Sequence, residues 1–577
     1  MHRIRFFARS LLPIAVLAAT QSLLAAPAAE GAVRAEPAKA ATGAQLLAQA
    51  APDECFAGVG QPYPSGPPCG TGTPKVNQSY VWGLTRSDDR IWFGTGANVQ
   101  CLTLGTSLAQ TQPTQNDDYV CEYGSSQLAK QLGGFPAQLG DWRPPKVYLY
   151  DTSAGQLTDK TGDITGRSST DGQRLETTVG MRAAGSNNGV VLLGGPGLIG
   201  INLFAFDSES GRYLGSTTIP EYGNIRHFVV ADGALYAGVG IGPQGDAGGA
   251  VLRFTGRTAN PFAYTVVGAL PSQVADLVVH QDRIYVTTWP SAGGTTTWTA
   301  AGVWASPPLA DGRPGLNRDD TTGWRQVWNV NQYEPDPVVA STYGLGALAS
   351  YGDYLYWGTM HVPLQATAAM VRKYKPANDQ QGALAVKNTQ RTASIFRAGG
   401  LDGGSPSVEL LYGESALPVY DAKAGTWALA STSYQPKYGA SGFGNTYNNY
   451  TWSMVVAGGS LYVGTMDWGE ISQYTPPAAI PGLRAALGTP DKSTFGADLW
   501  AFDSPDGAAK AVDTTGIGNY LNYGIRNMVT DGSAVYLGMA NPMNLRTNTS
   551  DDVPEGGWQL IRLQTATGVT AQTDDTD

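Results

Sequence analysis

One phrase recurs seven times along this chain: an apolar run, a tight polar turn, and a second run closing on Gly-Thr or a near variant. The closing copies are RIWFGT from Arg90, VVLLGG from Val190, ALYAGV from Ala234, RIYVTT from Arg283, YLYWGT from Tyr354, SLYVGT from Ser460 and AVYLGM from Ala534. Alternating apolar positions rich in aromatic and β-branched residues give each run the period of a pleated strand. A unit this short cannot bury its own apolar face, so it must stack on its copies.

Each copy extends in both directions. Upstream stands a first strand, such as Ile225–Val230 ahead of the Ala231-Asp232-Gly233 turn. Asp-Gly, Gly-Gly and Gly-Asp pairs at these turns suit tight hairpins with positive φ. Downstream come a third strand, such as NLFAFD from Asn202, and a less regular fourth, such as YTVVGA from Tyr264. The pattern predicts an all-β, seven-bladed β-propeller of four-stranded antiparallel blades over residues 77–570. A β-sandwich would not require equivalent hairpins. The last repeat has a weak fourth strand, and Thr71–Val76 is expected to supply it and close the ring.

The ends are organised differently. Residues 1–28 read as a signal peptide, with Arg3, Arg5 and Arg9, an apolar run from Leu11 to Ala26, and the small-residue site Ala26-Pro27-Ala28. Pro13, Thr20, Gln21 and Ser22 interrupt that run, leaving it short of the roughly 20 apolar residues of a membrane span. No cysteine near the cleavage point offers a lipid anchor. Residues 29–52 read as an Ala-rich flexible linker, 53–76 as a Cys/Pro/Gly-rich N-terminal segment, and 571–577 as an acidic tail. The expectation is a secreted or periplasmic monomer without membrane insertion.

Cys55, Cys69, Cys101 and Cys121 suit an exported chain and allow three disulfide connectivities. The pairs Cys55–Cys69 and Cys101–Cys121 are preferred, since each ties a loop without a core of its own. A net charge of −10 with no basic cluster argues against nucleic acid as a partner.

The repeats also separate two faces. Between second and third strands lie 50 residues in repeat one, then 6, 10 and 13, and then 33, 31 and 18 in repeats five, six and seven. Insertions on one face of a repeat array mark its binding face. Repeats five, six, seven and one adjoin in a closed ring, so their loops should form one wall.

Two sets of residues on that face have chemistry. The second residue beyond the repeat's closing Gly-Thr is His361, Asp467 or Asn541 in repeats five to seven. If these converge they suit a divalent metal or proton transfer, with Arg526 as a further catalytic candidate. The starts of the first strands carry Trp82, Arg226, His227, Trp452, Arg526 and Asn527. Arginines there would clamp a carboxylate or sulfate, and tryptophans would stack on sugar rings. Trp468 and Tyr523 join Tyr447, Asn448, Asn449, Tyr450, Glu470, Tyr520 and Asn522 in a surface suited to saccharide or protein recognition. The alternative use of the same residues is to fill and seal the channel. Asp467 with Glu470 also resembles a glycosidase carboxylate pair, and 548–555 offers oxygen ligands for calcium without an EF-hand pattern. His280 falls in a turn and is expected at the solvated surface. No GxSxG elbow accompanies a Ser/His/Asp reading.

Over Lys75–Val569 the chain resembles the seven-bladed propellers of exported bacterial proteins, kelch-like, sialidase-like and quinoprotein-like members among them. The resemblance rests on the strand-turn-strand phrase. It lacks the repeated Ser-x-Asp-x-Gly-x-x-Trp box, a periodic kelch Gly-Gly and a recurring quinone-docking Trp motif, so no catalytic residue is carried over. The leading functional expectation is ligand binding on the long-loop face, extracellular saccharide or protein. An exported hydrolase or lyase and a structural surface protein are the alternatives.

Overall fold

The computed structural model describes residues 41–565 apart from 42, 65, 134–135, 292–297, 310–313, 402–405, 476–479 and 546–553. The signal-peptide reading, the acidic tail and most of the calcium candidate lie outside the described residues. The protein is all-β, with recurring four-stranded antiparallel sheets. In repeat three, Tyr222–Ala231, Ala234–Ile241, Gly249–Phe254 and Tyr264–Leu270 pair in chain order.

The first strands lie innermost. Gln78–Ser87, Ala183–Asn187, Tyr222–Ala231, Val274–His280, Gly344–Tyr351, Asn448–Ala457 and Gly524–Thr530 each neighbour the next, and the last neighbours the first. They surround a central channel, the arrangement of a β-propeller.

The recurring Gly-Thr has two physical causes. A Cβ on Gly94, Gly358 or Gly464 would stand 2.1, 2.3 or 2.7 Å from the Cβ of Met181, Thr451 or Ile525 in the following repeat. Only a residue without a side chain lets successive sheets approach so closely. The threonine hydroxyl then accepts a backbone hydrogen bond at the third strand: Thr95 from Lys146 N at 2.8 Å, Thr359 from Ser394 N at 2.8 Å, Thr465 from Asp498 N at 2.9 Å.

Closure departs from the expectation. Ala44–Gln49, inside the stretch read as a linker, pairs antiparallel with Gln559–Gln564 and completes the last repeat. Leu47 and Ala48 pack on the cluster around Phe93 and Trp558, burying apolar surface that a tether would expose. Thr73–Lys75 instead pairs with Glu54–Phe56, and the Cys55–Cys69 disulfide staples that hairpin. Cys101 bonds Cys121, the second preferred pairing. His280 is also corrected: it is buried, with Nδ1 2.8 Å from Ser350 Oγ.

The repeats are joined unequally. Repeats two, three and four form separate sheets, whereas five, six, seven and one merge into a continuous one. Single antiparallel pairs make the joints: Met360 with Tyr450, Met466 with Gly524 and Ala540 with Tyr80. Among the described residues no helix is long and apolar enough to cross a membrane.

Candidate functional site: a channel chamber of aromatic and arginine side chains

The innermost strands carry a shared irregularity. Their pairing with the second strand skips Trp82, Arg226, Ala275, Trp452 and Arg526 in repeats one, three, four, six and seven. In repeat five it skips Gly346 and Ala347. Arg182 holds the corresponding place in repeat two, one residue ahead of its strand. A bulge re-aims its unpaired residue, and here the large ones meet in the channel.

Arg182, Arg226, Trp82, Trp452 and Arg526 line a cavity of about 140 Å³ on the long-loop side. Its aromatic wall is an edge-to-face set around Trp452. Tyr80, Tyr450 and Tyr523 have ring centroids 6.0, 5.4 and 5.8 Å from it, at interplanar angles of 89°, 89° and 68°. Loops supply the rest. The helix Val99–Leu108 of repeat one contributes Gln100 and Leu104, repeat five Val362 to Leu364, repeat six Trp468 and Thr475, and repeat seven Pro542. The Cys101–Cys121 disulfide ties that helix down.

The arginines lie against aromatic faces. Arg182 stands 5.5 Å from the Trp82 ring centroid, Arg226 4.4 Å from that of Trp289, and Arg526 5.6 Å from that of Trp452. Such contacts favour a guanidinium without neutralising it. Burial lowers the pKa of all three, Arg226 to about 10 and Arg526 to about 9, with mutual repulsion adding to the shift at Arg182 and Arg526. Burial pushes the Tyr450 phenol up to about 12, against the pull of the same three cations.

Beyond Arg226 and Arg526 the channel widens to about 570 Å³ and is lined by His227, Asp276 and Asn527. His227 Nδ1 is 3.5 Å from Asp276 Oδ1. Asn527 Nδ2 donates to the carbonyls of Val81 and Trp82, both at 2.9 Å, bridging two repeats. These two sequence candidates therefore lie away from the aromatic chamber, while Trp82, Arg226, Trp452, Trp468, Tyr523 and Arg526 line it.

His361, Asp467 and Asn541 keep their equivalence but take separate positions. Their backbone N–H groups donate to Asn449 O at 3.0 Å, Tyr523 O at 2.8 Å and Ser79 O at 3.1 Å, sealing the three joints between repeats. Their side chains stay local. His361 Nε2 is 2.8 Å from Thr359 Oγ1, Asp467 accepts from Asn445 Nδ2 at 2.7 Å and Gly469 N at 2.6 Å, and Asn541 accepts from Met543 N at 3.2 Å. His361 lines a small cavity with Arg391 and Asn449 that neither Asp467 nor Asn541 lines. Burial lowers the His361 pKa to about 3 and, helped by Asp498, holds Asp467 well above the carboxylate range. The convergent metal or proton-transfer set is thus not assembled, and the described residues contain no group of three or more His, Cys, Asp and Glu able to hold an ion.

Asn448, Asn449 and Asn522, expected on a recognition surface, are buried, their Nδ2 groups donating to Gly442 O and Asp498 Oδ2, to Arg391 O, and to Gly516 O and Gln559 Oε1. They reveal an overlooked motif, Gly-x-Gly-Asn-x-x-Asn, at 442–448 and again at 516–522. In both copies the three leading residues have positive φ: Gly442 62°, Phe443 56° and Gly444 87°, then Gly516 69°, Ile517 57° and Gly518 81°. The last asparagine donates through Nδ2 to the first glycine's carbonyl at 3.0 Å in each. Comparing the links as well as the strands would have found it. Arg182 was likewise legible as the repeat-two counterpart of Arg226.

No family model and no curated protein matches this chain. Solved structures resemble it at low identity. A polysaccharide lyase aligns over 91% of this chain and 99% of its own at 7% identity and TM-score 0.40. A WD40 β-propeller domain aligns over 91% and 98% at 9% identity and TM-score 0.35. A GH74 enzyme of Niastella koreensis aligns over 80% and 70% at 12% identity and TM-score 0.29.

Proposed function

We propose that this chain is an exported, monomeric seven-bladed β-propeller that binds an extracellular saccharide in the chamber between its first strands and the loops of repeats five, six, seven and one. The closed cycle of first strands supports the blade count, and the two disulfides fit an oxidising compartment. The observation that carries the ligand reading is the chamber: rigid aromatic walls, buried polar groups and a volume of about 140 Å³. A cavity of about 150 Å³ admits a molecule the size of benzene, so the chamber suits the end of a saccharide chain reaching in from the mouth and not a protein surface. Three polar groups of the lining are buried without a hydrogen-bond partner, Gln100 Oε1, Trp468 Nε1 and Arg182 Nε, the first two an acceptor and a donor without formal charge. A polyhydroxyl ligand supplies both kinds of partner.

Titration of the mature chain with a panel of oligosaccharides tests this reading. Binding that weakens at least tenfold in Gln100→Ala and Trp82→Phe, with unchanged melting cooperativity, is expected. Saccharide binding indifferent to both substitutions would place the ligand elsewhere. Alanine at Trp452 or Tyr523 is a poorer test, because both are core residues of the chamber.

A further inference from the structure

The channel contains a cationic cluster that saccharide binding alone does not require. Arg182, Arg226 and Arg526 come from three separate repeats and converge on one cavity of about 140 Å³. Arg226 and Arg526 are only 6% and 7% exposed. Among the described residues no carboxylate lies within ion-pair distance of any of the three. Their polar contacts are sparse: Arg182 Nη1 donates to Asn224 Oδ1 at 2.9 Å, Arg526 Nη1 reaches Asn527 Oδ1 at 3.4 Å, and Arg226 Nη2 reaches Met360 Sδ at 4.0 Å. Arg182 Nε is buried with no hydrogen-bond partner.

Other buried arginines of this molecule show the contrast. Arg143 contacts Glu54, Glu122 and Asp141 at 2.8 to 3.0 Å, and Arg391 meets Glu334 at 2.7 Å. A buried cation is ordinarily paired, because taking an unpaired charge out of water costs several kcal/mol. The carboxylate whose charge acts on Arg226 and Arg526 is Asp276, whose oxygens accept from Leu277 N at 2.9 Å and Leu348 N at 3.0 Å on the wider side of the channel. With Arg86 on the wider side, four guanidiniums and a single carboxylate line the two parts of the channel. The chain as a whole is acidic, with a net charge of −10. The positive spot is built locally.

We propose that Arg182, Arg226 and Arg526 are an anion clamp, and that the ligand is an acidic saccharide whose carboxylate or sulfate ester sits among them while its ring lies against Trp452, Tyr450 and Tyr80. Guanidinium forks match the paired oxygens of such groups, and the low dielectric strengthens each charge-assisted bond. Bulges deliver two of the three cations, breaking the ladder at Arg226 and Arg526, while Arg182 enters from just ahead of its strand. The ligand assignment rests on the saccharide reading above; the clamp itself does not.

The test is calorimetric titration of the mature chain with trigalacturonate, its methyl ester, a sulfated trisaccharide and sodium sulfate, in wild type, Arg526→Met and Arg226→Met. An acidic trisaccharide should bind at least tenfold tighter than the neutral ester, with the preference lost in either variant. The melting temperature without ligand should rise in both variants, because methionine keeps the packing and removes an uncompensated buried charge. That gain separates a clamp from a structural arginine, whose loss would lower it. Sulfate binding without any trisaccharide binding supports the clamp and overturns the saccharide reading. Equal binding of acid and ester leaves saccharide recognition standing and overturns the clamp, as does a fall in melting temperature with no change in anion affinity.

Discussion

Repeats two to four and repeats five, six, seven and one are built from the same strand-turn-strand phrase, yet they make different structures. The first group forms separate sheets with 6 to 13 residues between second and third strands. The second fuses into one sheet through single residue pairs, and its loops of 18 to 50 residues turn inward over the channel. The strands fix where the sheets stand; the loops and links decide what the channel mouth contains. Many polar side chains in the fused half serve as internal fasteners, and the chamber is lined by residues at the bulges together with loop residues such as Gln100 and Trp468.

The sharpest way to break this contrast is at a fastener. Asn522→Ala strips Gln559 Oε1 and Gly516 O of a buried partner at 2.6 and 3.0 Å. A loss of about 4 kcal/mol is expected in chemical denaturation, at about 1–3 kcal/mol for each unsatisfied group. Gln273→Ala in the separate half removes one part-buried bond to Asn224 and should cost less than about 1 kcal/mol. Equal losses would mean that the two halves are fastened alike.

Next in size is the tether of the repeat-one helix. Replacing Cys101 and Cys121 together by serine opens a closed loop with a sequence separation of 20. The expected cost is about 3 kcal/mol, accompanied by weaker ligand binding as Gln100 and Leu104 lose their fixed place. Stability loss without any binding loss would show that this wall is dispensable.

A smaller, pH-dependent effect is expected at Glu470. Burial, with Asp118 nearby, raises its pKa from 4.5 to about 7, and Tyr474 contacts both carboxylates, Asp118 at 2.6 Å and Glu470 at 3.3 Å. A raised folded pKa means that its contribution is fully present below about pH 4.5 and lost as pH rises through 7. Glu470→Gln should therefore match wild type at pH 4 and exceed it by up to about 3 kcal/mol at pH 8, read from urea midpoints. A wild-type advantage at pH 8 would contradict the assignment. The smallest effect belongs to Ile199, 79% exposed in a short loop of the separate half. Ile199→Ser should change stability by less than about 0.5 kcal/mol and leave binding untouched.

How much was legible differs by residue. The phrase revealed the first three strands of every repeat, and cysteine spacing revealed both disulfides, because those signals are local. The same alignment correctly found His361, Asp467 and Asn541 equivalent but could not say what equivalence meant. Equivalent positions in a ring face their own joints as readily as a common centre, and each backbone N–H here binds the neighbouring first strand. Ala44–Gln49 was missed because an Ala-rich strand has little alternation of its own; its partner 515 residues later supplies the reason for it to be extended.

By itself, then, the sequence determined the repeated β unit, the turns, the unequal loops and the pool of aromatic and cationic residues. These follow from periodicity and local backbone chemistry, which act over a few residues. Tertiary structure alone decided that Ala44–Gln49 completes the last repeat, that the polar trio seals joints, and that Arg182 meets Arg226 and Arg526. Such outcomes depend on which sheets become neighbours and on a one-residue bulge that changes where a side chain points. Burial then gave the arginines their significance, since the same three charges in water would need no partner.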